Sequence, residues 1–482
     1  MLHRKLLEIL ARLAPSEHRQ LRLFLQSPYF TQGANQAQLL LLYDLIMQNG
    51  ADEENQNLSK EAVFYKLFPN KTFHEKEKSN LDSLSSELFR VVRRFLYQQE
   101  VDKDIESPVN LVSLLQFYRK NGLEERFWQT VATARKQQEG VSFRGPKYYI
   151  DQFRIEEEVS NFQGTFNTHE DDANLKNVHQ NLDSFFSILK LEYACALKHR
   201  QKTSHVAHPP SDTLTNTVLS IVENEDYLKN PLNIIYSKIF LVLQGKQDAD
   251  TIEDLRVAIE KEGPQVPPDK FRDILAYYRA FLTWTYVRSA KIEDLNMMFD
   301  AYSLNLQGGY LYIDNKLTPM ALRVLCNIGL KLQKFPWVKK LLDEHPPERI
   351  CGTKYPVEAH SLNVAEYHFH KKEYAEAEAK LTYRAFENPN FSITADLLLI
   401  KIYYETESEL LESRMKALEQ KVRRSKISAE TKTGYYNFLK KLDKVVKYGW
   451  QKPSPKRDKL VQEIKTAPSV FAREWLLEIL SS

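Results

Sequence analysis

Hydrophobic residues recur at helical spacing along most of this chain, in runs of roughly 12–20 residues separated by short breaks that contain Pro, Gly or Asn. From Leu111, the positions Leu111, Leu114, Leu115 and Tyr118 follow i, i+3, i+4, i+7, the single apolar stripe of a surface helix. Asn121-Gly122 ends that run, and Phe127, Val131 and Ala134 form the stripe of the next. Together they predict a helical hairpin. Comparable pairs are Leu232 to Leu243 with Ile252 to Ile259, Phe271 to Val287 with Leu295 to Tyr302, and Met320 to Leu332 with Trp337 to Leu342.

The clearest pair runs from Glu358 to Phe391. Its first half, to Lys371, spaces Ala359, Leu362, Val364, Ala365 and Phe369 for burial. The second half restarts after Glu373 with Tyr374, Ala377, Leu381 and Ala385, and is expected to stop at Asn388-Pro389. Small Ala365 and Ala377 at the helix crossing, Tyr374 opening the second helix and Pro389 closing it resemble a tetratricopeptide repeat. Each such hairpin has two apolar faces that it cannot cover alone, so stacking on neighbours is the physical solution. The expected fold is therefore all-α, an α-solenoid of irregular tetratricopeptide-like hairpins. Uneven periods, and loops such as Ser204 to Ser211 and Gly308 to Asn315, mark the repeats as diverged. The alternative, two or three compact helical bundles, would need long crossovers or clear linkers.

The first hundred residues follow a different pattern. Pro15-Ser16-Glu17 opens a helix with Leu21, Phe24 and Leu25, which Ser27-Pro28-Tyr29-Phe30 breaks. A further helix starts near Ala34, a short one near Ser59, and a long one holds Leu81, Leu84, Leu88, Val91, Val92 and Phe95. Ser27-Pro28-Tyr29-Phe30, combined with Leu58-Ser59-Lys60-Glu61 to Leu67-Phe68-Pro69, resembles the N-terminal region of a family of uncharacterised bacterial helical-repeat proteins. The resemblance implies a fold and a bacterial cytosolic setting, and brings no activity with it. The organisation expected is a small helical domain over residues 1–106 and a repeat array over 107–482. At the far end, Pro453 and Pro455 break the helix ending near Tyr448, and Val470, Phe471, Trp475, Leu476, Ile479 and Leu480 predict a capping helix.

Composition fits a helix-rich array. Only 14 of 482 residues are Gly, against a usual share of ~7%, so tight turns and phosphate-cradling loops are few. Cys195, Cys326 and Cys351 are distant in sequence and odd in number, which excludes a disulfide framework or C-x-x-C motif and points to a reducing, cytoplasmic compartment. Glu8 and Arg12 interrupt any signal-peptide core, and the longest apolar run, around Leu39 to Tyr43, is far short of the ~20 residues that span a bilayer. No membrane partner is expected.

Charge adds one local feature. Between Arg414 and Arg457 there are 14 Lys or Arg against 3 Asp or Glu, a net of +11 in a chain whose total is +3. On a helix over Ser428 to Lys447, Tyr435, Phe438, Leu439, Leu442 and Val446 form the apolar face, and Lys440, Lys444 and Lys447 a basic ridge opposite. Arg423, Arg424 and Lys426 extend it. Such a ridge suits an acidic protein, or phosphates through counterion release; a solvated lysine face is the plainer alternative. Lysines outnumber arginines there and the aromatics fall on the core face, which disfavours base recognition.

Other constellations carry less. No phosphate-loop, dinucleotide, zincin or nucleophile-elbow motif occurs, so no catalytic residue or cofactor is assigned. Glu156, Glu157 and Glu158, and Glu170, Asp171 and Asp172, are expected to fan out into solvent. His199, His205 and His208 fall around a loop, and His360, His368 and His370 lie near the best repeat; His368 and His370 diverge by about 200° on a helix, so no metal is expected. Paired aromatics such as Tyr277-Tyr278, Tyr403-Tyr404 and Tyr435-Tyr436 suit packing between repeats. Asn363 could act in a carboxylate clamp, but Glu366 one turn away would repel the acid. The function these features favour is a non-enzymatic interaction scaffold for a protein partner. A nucleic-acid-associated regulator using the basic ridge is the alternative.

Overall fold

The computed structural model describes residues 4–31, 35–50, 55–69, 72–103, 107–166, 173–203, 212–245, 249–383, 385–448 and 455–481. Those residues form helices and turns, with two isolated β-bridges and no strand among them. The chain divides into two compact units, Met1–Phe186 and Ser187–Ser482. The break expected after residue 106 lies within the first unit, in a short segment outside the described residues.

The first unit holds α1 (Arg4–Leu10), α2 (Pro15–Gln26), α3 (Gln36–Gln48), α4 (Lys60–Leu67), α5 (Glu75–Asp102), α6 (Pro108–Lys120), α7 (Glu124–Glu139), α8 (Pro146–Phe166) and the start of α9 (Ala173–Thr203). The long helix α5 is the spine of its N-terminal part, since α1 to α4 all pack on it. Leu81, Leu84, Leu88, Val91, Val92 and Phe95, the predicted stripe, are buried on that side against Leu7, Leu21, Leu25 and Phe64. Burying a side chain of this size stabilises by about 1.5–3 kcal/mol, so one continuous stripe suffices to hold four short helices. Helices α6, α7 and α8 pack mutually, with the rings of Phe127 and Phe162 stacked 4.2 Å apart.

The second unit continues α9 and adds α10 (Thr213–Asn224), α11 (Pro231–Gln244), α12 (Ala249–Glu262), α13 (Pro268–Ser289), α14 (Ile292–Gln307), α15 (Pro319–Lys331), α16 (Phe335–Glu344) and α17 (Pro356–His370). It ends with α18 (Tyr374–Thr382), α19 (Pro389–Glu405), α20 (Leu411–Arg424), α21 (Ala429–Tyr448), α22 (Pro455–Thr466) and α23 (Arg473–Ser481). The predicted pairs appear as α11 with α12, α13 with α14, α15 with α16 and α17 with α18. Many of these first helices begin on proline, at Pro231, Pro268, Pro319, Pro356 and Pro389. Proline has no N–H to lose at a position where the N–H has no helical acceptor, and its φ is already helical.

Three details of the sequence expectation are corrected. Pro389 opens α19 and does not close α18, which already ends at Thr382, so Ala385 is exposed and outside the stripe. The cause is Glu358, a buried carboxylate on α17 that accepts the backbone N–H groups of Glu387 (2.8 Å) and Asn388 (3.1 Å) and holds the connecting loop extended. On α21 the inward residue is Val445, while Val446 is 38% exposed. An additional helix, α22, opens on Pro455, and Val470 and Phe471 lie in the turn before α23 instead of within it.

Candidate functional site

Two places are candidates for a functional site, the turn after α2 and the basic segment of α20 and α21. At the first, α2 stops at Ser27, whose extended backbone (φ −79°, ψ 122°) precedes Pro28. The Ser27 carbonyl accepts the N–H groups of Phe30 (3.2 Å) and Thr31 (3.1 Å), and also the Thr31 hydroxyl (2.8 Å). That hydroxyl reaches the Leu25 carbonyl as well, at 3.0 Å. Phe30 stacks on Phe24 with ring centres 3.9 Å apart, and Phe24 meets Phe95 of α5 edge-on at 5.6 Å. The turn is thus pinned at both Phe30 and Thr31, which leaves Tyr29 between them 68% exposed.

Facing this turn, α5 presents Glu87, Arg90, Val91 and Arg94, and the two segments enclose an open cleft of about 410 Å³. The Arg94 guanidinium lies 5.0 Å from the centre of the Phe30 ring and 5.8 Å from that of Tyr29, so ring faces hold it in place. Arg90, one turn earlier, has only a 3.8 Å approach to Glu87 and a side chain that is 78% exposed. Glu87 accepts a hydrogen bond from Asn35 Nδ2 at 3.2 Å. Thr31 and Val91, both buried, are part of its lining. Sequence reasoning singled out Tyr29 only as part of a resemblance and passed over Arg90 and Arg94. Their i, i+4 spacing beside the buried stripe of α5 was the available signal.

In the basic segment, Arg423 and Arg424 end α20 and Lys440 sits on α21, all three exposed. Among the described residues no acid pairs with them. The other two predicted ridge lysines are engaged: Lys444 bonds Glu463 of α22 at 3.1 Å, and Lys447 bonds Asp443 at 2.8 Å. Lys441, absent from the predicted ridge, is 12% exposed and also pairs with Glu463. These two ammonium groups, Lys441 foremost, hold the Glu463 carboxyl down at about 2. Further back, Arg414 and Lys421 both pair with the buried carboxylate of Asp396 on α19. Four of the fourteen cations in the +11 run, Arg414, Lys421, Lys441 and Lys444, thereby tie helices together, and their acid partners Asp396 and Glu463 lie outside the counted window.

Of the acidic run on α8, Glu157 is exposed as expected, but Glu156 and Glu158 do not lie on a solvated face. Glu156 and Glu158 are each 3% exposed. Glu156 receives Arg135 Nε at 2.9 Å, Arg135 Nη2 at 2.7 Å and Asn174 Nδ2 at 2.7 Å. Glu158 receives Gln116 Nε2 and Arg119 Nε, both at 3.1 Å. Glu156 and Glu158 take partners from α7 and α6 respectively, while Glu170, Asp171 and Asp172 lie outside the described residues.

Among the described residues the histidines do not converge. His199 packs between Tyr277 and Trp284, and burial lowers its pKa. His205 and His208 lie outside the described residues. His360 contacts the Leu342 carbonyl at 3.1 Å and His368 the Glu373 carboxylate at 2.7 Å. No cluster of three or more His, Cys, Asp or Glu able to hold a metal occurs among the described residues. Asn363 is buried and donates one amide hydrogen to the Ala359 carbonyl at 2.8 Å. It borders a hollow of only about 20 Å³ with Arg323, Glu366 and Phe391, room for a water.

Comparison of the sequence with protein-family models and with curated proteins, and of the fold with solved structures, gave no match. Among the described residues no helix is long and apolar enough to cross a membrane.

Proposed function

We propose that this chain is a non-enzymatic interaction scaffold, an irregular tetratricopeptide-like α-solenoid of the bacterial cytoplasm that binds a protein partner through its helical-repeat surface. The observation that carries the proposal is the packing order of the second unit. Helix α11 packs on α12 and α13, α15 on α16 and α17, and α17 on α18 and α19, each on its next and next-but-one neighbour. Stacked hairpins of this kind bury one set of faces and leave a long second set for a partner. The buried small residues Ala365 and Ala377 on the paired helices α17 and α18, and Gly329 against Val338 where α15 meets α16, support the repeat character.

The nucleic-acid alternative is weakened by the pairing of Lys441, Lys444 and Lys447, since a lysine neutralised by its own carboxylate releases few phosphate counterions. The test is affinity capture from the native host with the intact chain and with Arg423→Glu/Arg424→Glu/Lys440→Glu. Specific proteins retained by the intact chain support a scaffold, and their loss in the variant assigns them to the basic segment. Retention of no protein, with salt-dependent gel shifts of a labelled oligonucleotide, would replace the scaffold by the nucleic-acid function.

A further inference from the structure

We propose that the cleft between the Tyr29 turn and α5 is a binding site for the C-terminal residue of a protein partner. Arg90 and Arg94 would take its carboxylate, Glu87 its last backbone N–H, and Tyr29 its side chain. The proposal shares with the scaffold function only the premise that the ligand is a protein.

Charge decides the ligand class. Two arginines one helical turn apart present planar forks, and a carboxylate takes two parallel N–H donors from such a fork. Arg94 is held by the Phe30 and Tyr29 rings and, among the described residues, by no acid, so its donors face an incoming anion. Glu87 belongs to the same cleft, so the ligand must combine an anion with a hydrogen-bond donor. A phosphate dianion fails that condition, because Glu87 would repel it. A terminal carboxylate with its amide N–H meets it.

Size and rigidity point the same way. A cleft of about 410 Å³ accepts one or two residues and not a folded surface. Tyr29 offers an exposed ring, and the buried Val91 adds apolar lining, so the terminal side chain is apolar or aromatic. The turn that displays Tyr29 is fixed beforehand by the Thr31 hydroxyl bonds and the stacking of Phe30 on Phe24, so little ordering cost falls on binding.

The experiment uses the full chain and pooled fluorescent octapeptides, varied in the last three residues, made both as free acids and as C-terminal amides. Fluorescence anisotropy is expected to select free acids with an apolar last residue. Amidation is expected to weaken the selected peptide about tenfold or more, as are Arg90→Ala and Arg94→Ala, and Arg94→Lys is expected to restore binding only in part. Tyr29→Ala lowers affinity while leaving the preference for free acids. Arg90 and Tyr29 are exposed, so these variants keep their melting temperature, which separates lost binding from lost folding. Equal binding of acid and amide, wild-type affinity of both arginine variants, no selected peptide, or equally tight binding of the free amino acid would each overturn the proposal. An unchanged set of captured partners in Arg94→Ala, alongside failed peptide binding, would sink the cleft and leave the scaffold function standing.

Discussion

Arg135 of α7 closes a two-point fork on Glu156 of α8, its Nε and Nη2 lying 2.9 and 2.7 Å from the two carboxylate oxygens. The carboxylate is 5% exposed and the arginine 44%, so the pair places a buried anion against a half-solvated cation. Replacing Arg135 leaves the buried carboxylate without its charge partner and with only the Asn174 amide as a side-chain donor. Arg135→Met is therefore expected to destabilise α7 and α8 by about 2–4 kcal/mol, somewhat under the full cost of breaking a buried pair because water reaches the site. Adding Glu156→Gln should recover part of the loss. Hydrogen exchange of the α7 and α8 amides reads both, and unchanged protection in Arg135→Met would show that the fork stabilises nothing.

This pair also marks where the sequence stops being legible. Hairpins are readable because their signal is local: Leu111, Leu115, Phe127 and Val131 are buried where a period of 3.6 places them, although Leu114 of the same predicted stripe is 43% exposed. Glu156 and Glu158 are not readable, since an acid becomes an inward residue only when another helix supplies Arg135 or Arg119, and period carries no record of that partner. Pro389 was misassigned for a related reason: a proline ends one helix or starts the next, and Glu358, some 30 positions back, makes the choice. The shift from Val446 to Val445 is a one-residue phase error of about 100°, which a short stripe of five apolar residues does not exclude. At the cleft, Tyr29 is visible as a motif, but the cleft itself is completed by Arg90 and Arg94, about 60 residues away.

Acid should loosen the junction between α21 and α22 in a defined window. Glu463 has its pKa lowered from 4.5 to about 2 by hydrogen bonds from Lys441 and then Lys444. With the folded value below the unfolded one, the unfolded chain binds the proton first. The stabilisation is thus complete above pH 4.5 and fades as pH falls toward 2. The melting temperature of Glu463→Gln should lie below that of the unaltered chain at pH 7, with the gap narrowing below pH 4.5 and closing only below about pH 2. A gap that stays constant with pH would contradict the assignment. High salt should narrow it, because the pair is partly exposed.

Gly329 should resist even the smallest side chain. A Cβ there would stand 2.6 Å from Val338 Cγ2 and 3.2 Å from Trp337, where α15 meets α16. Alanine would favour helix by about 1 kcal/mol, but overpacking a closed helix crossing costs about 1–3 kcal/mol. Gly329→Ala is expected to lower the melting temperature, and Gly329→Val to lower it further. Gly164, on α8 with nothing within 4 Å of its would-be Cβ, provides the control. Gly164→Ala should be neutral or stabilising. A stabilised Gly329→Ala would mean that the crossing is looser than the distances indicate.

Adjacent lysines on α21 hold one structural and one available charge. Lys440 is exposed and Lys441 is 12% exposed and paired with Glu463, although sequence reasoning chose the first and ignored the second. Reversing an exposed, unpaired charge changes stability by no more than about 0.5 kcal/mol. Reversing Lys441 sets two carboxylates against each other at a half-buried contact. Lys440→Glu should therefore keep the melting temperature, while Lys441→Glu should lower it and raise exchange in α22. If the basic segment meets an acidic partner, Lys440→Glu and Arg424→Glu weaken capture with folding intact, and the salt dependence of the remaining binding becomes shallower. Equal melting temperatures for the two lysine variants would show that Glu463 does not tie α22 to α21, and the distinction between tying and available lysines would fall with it.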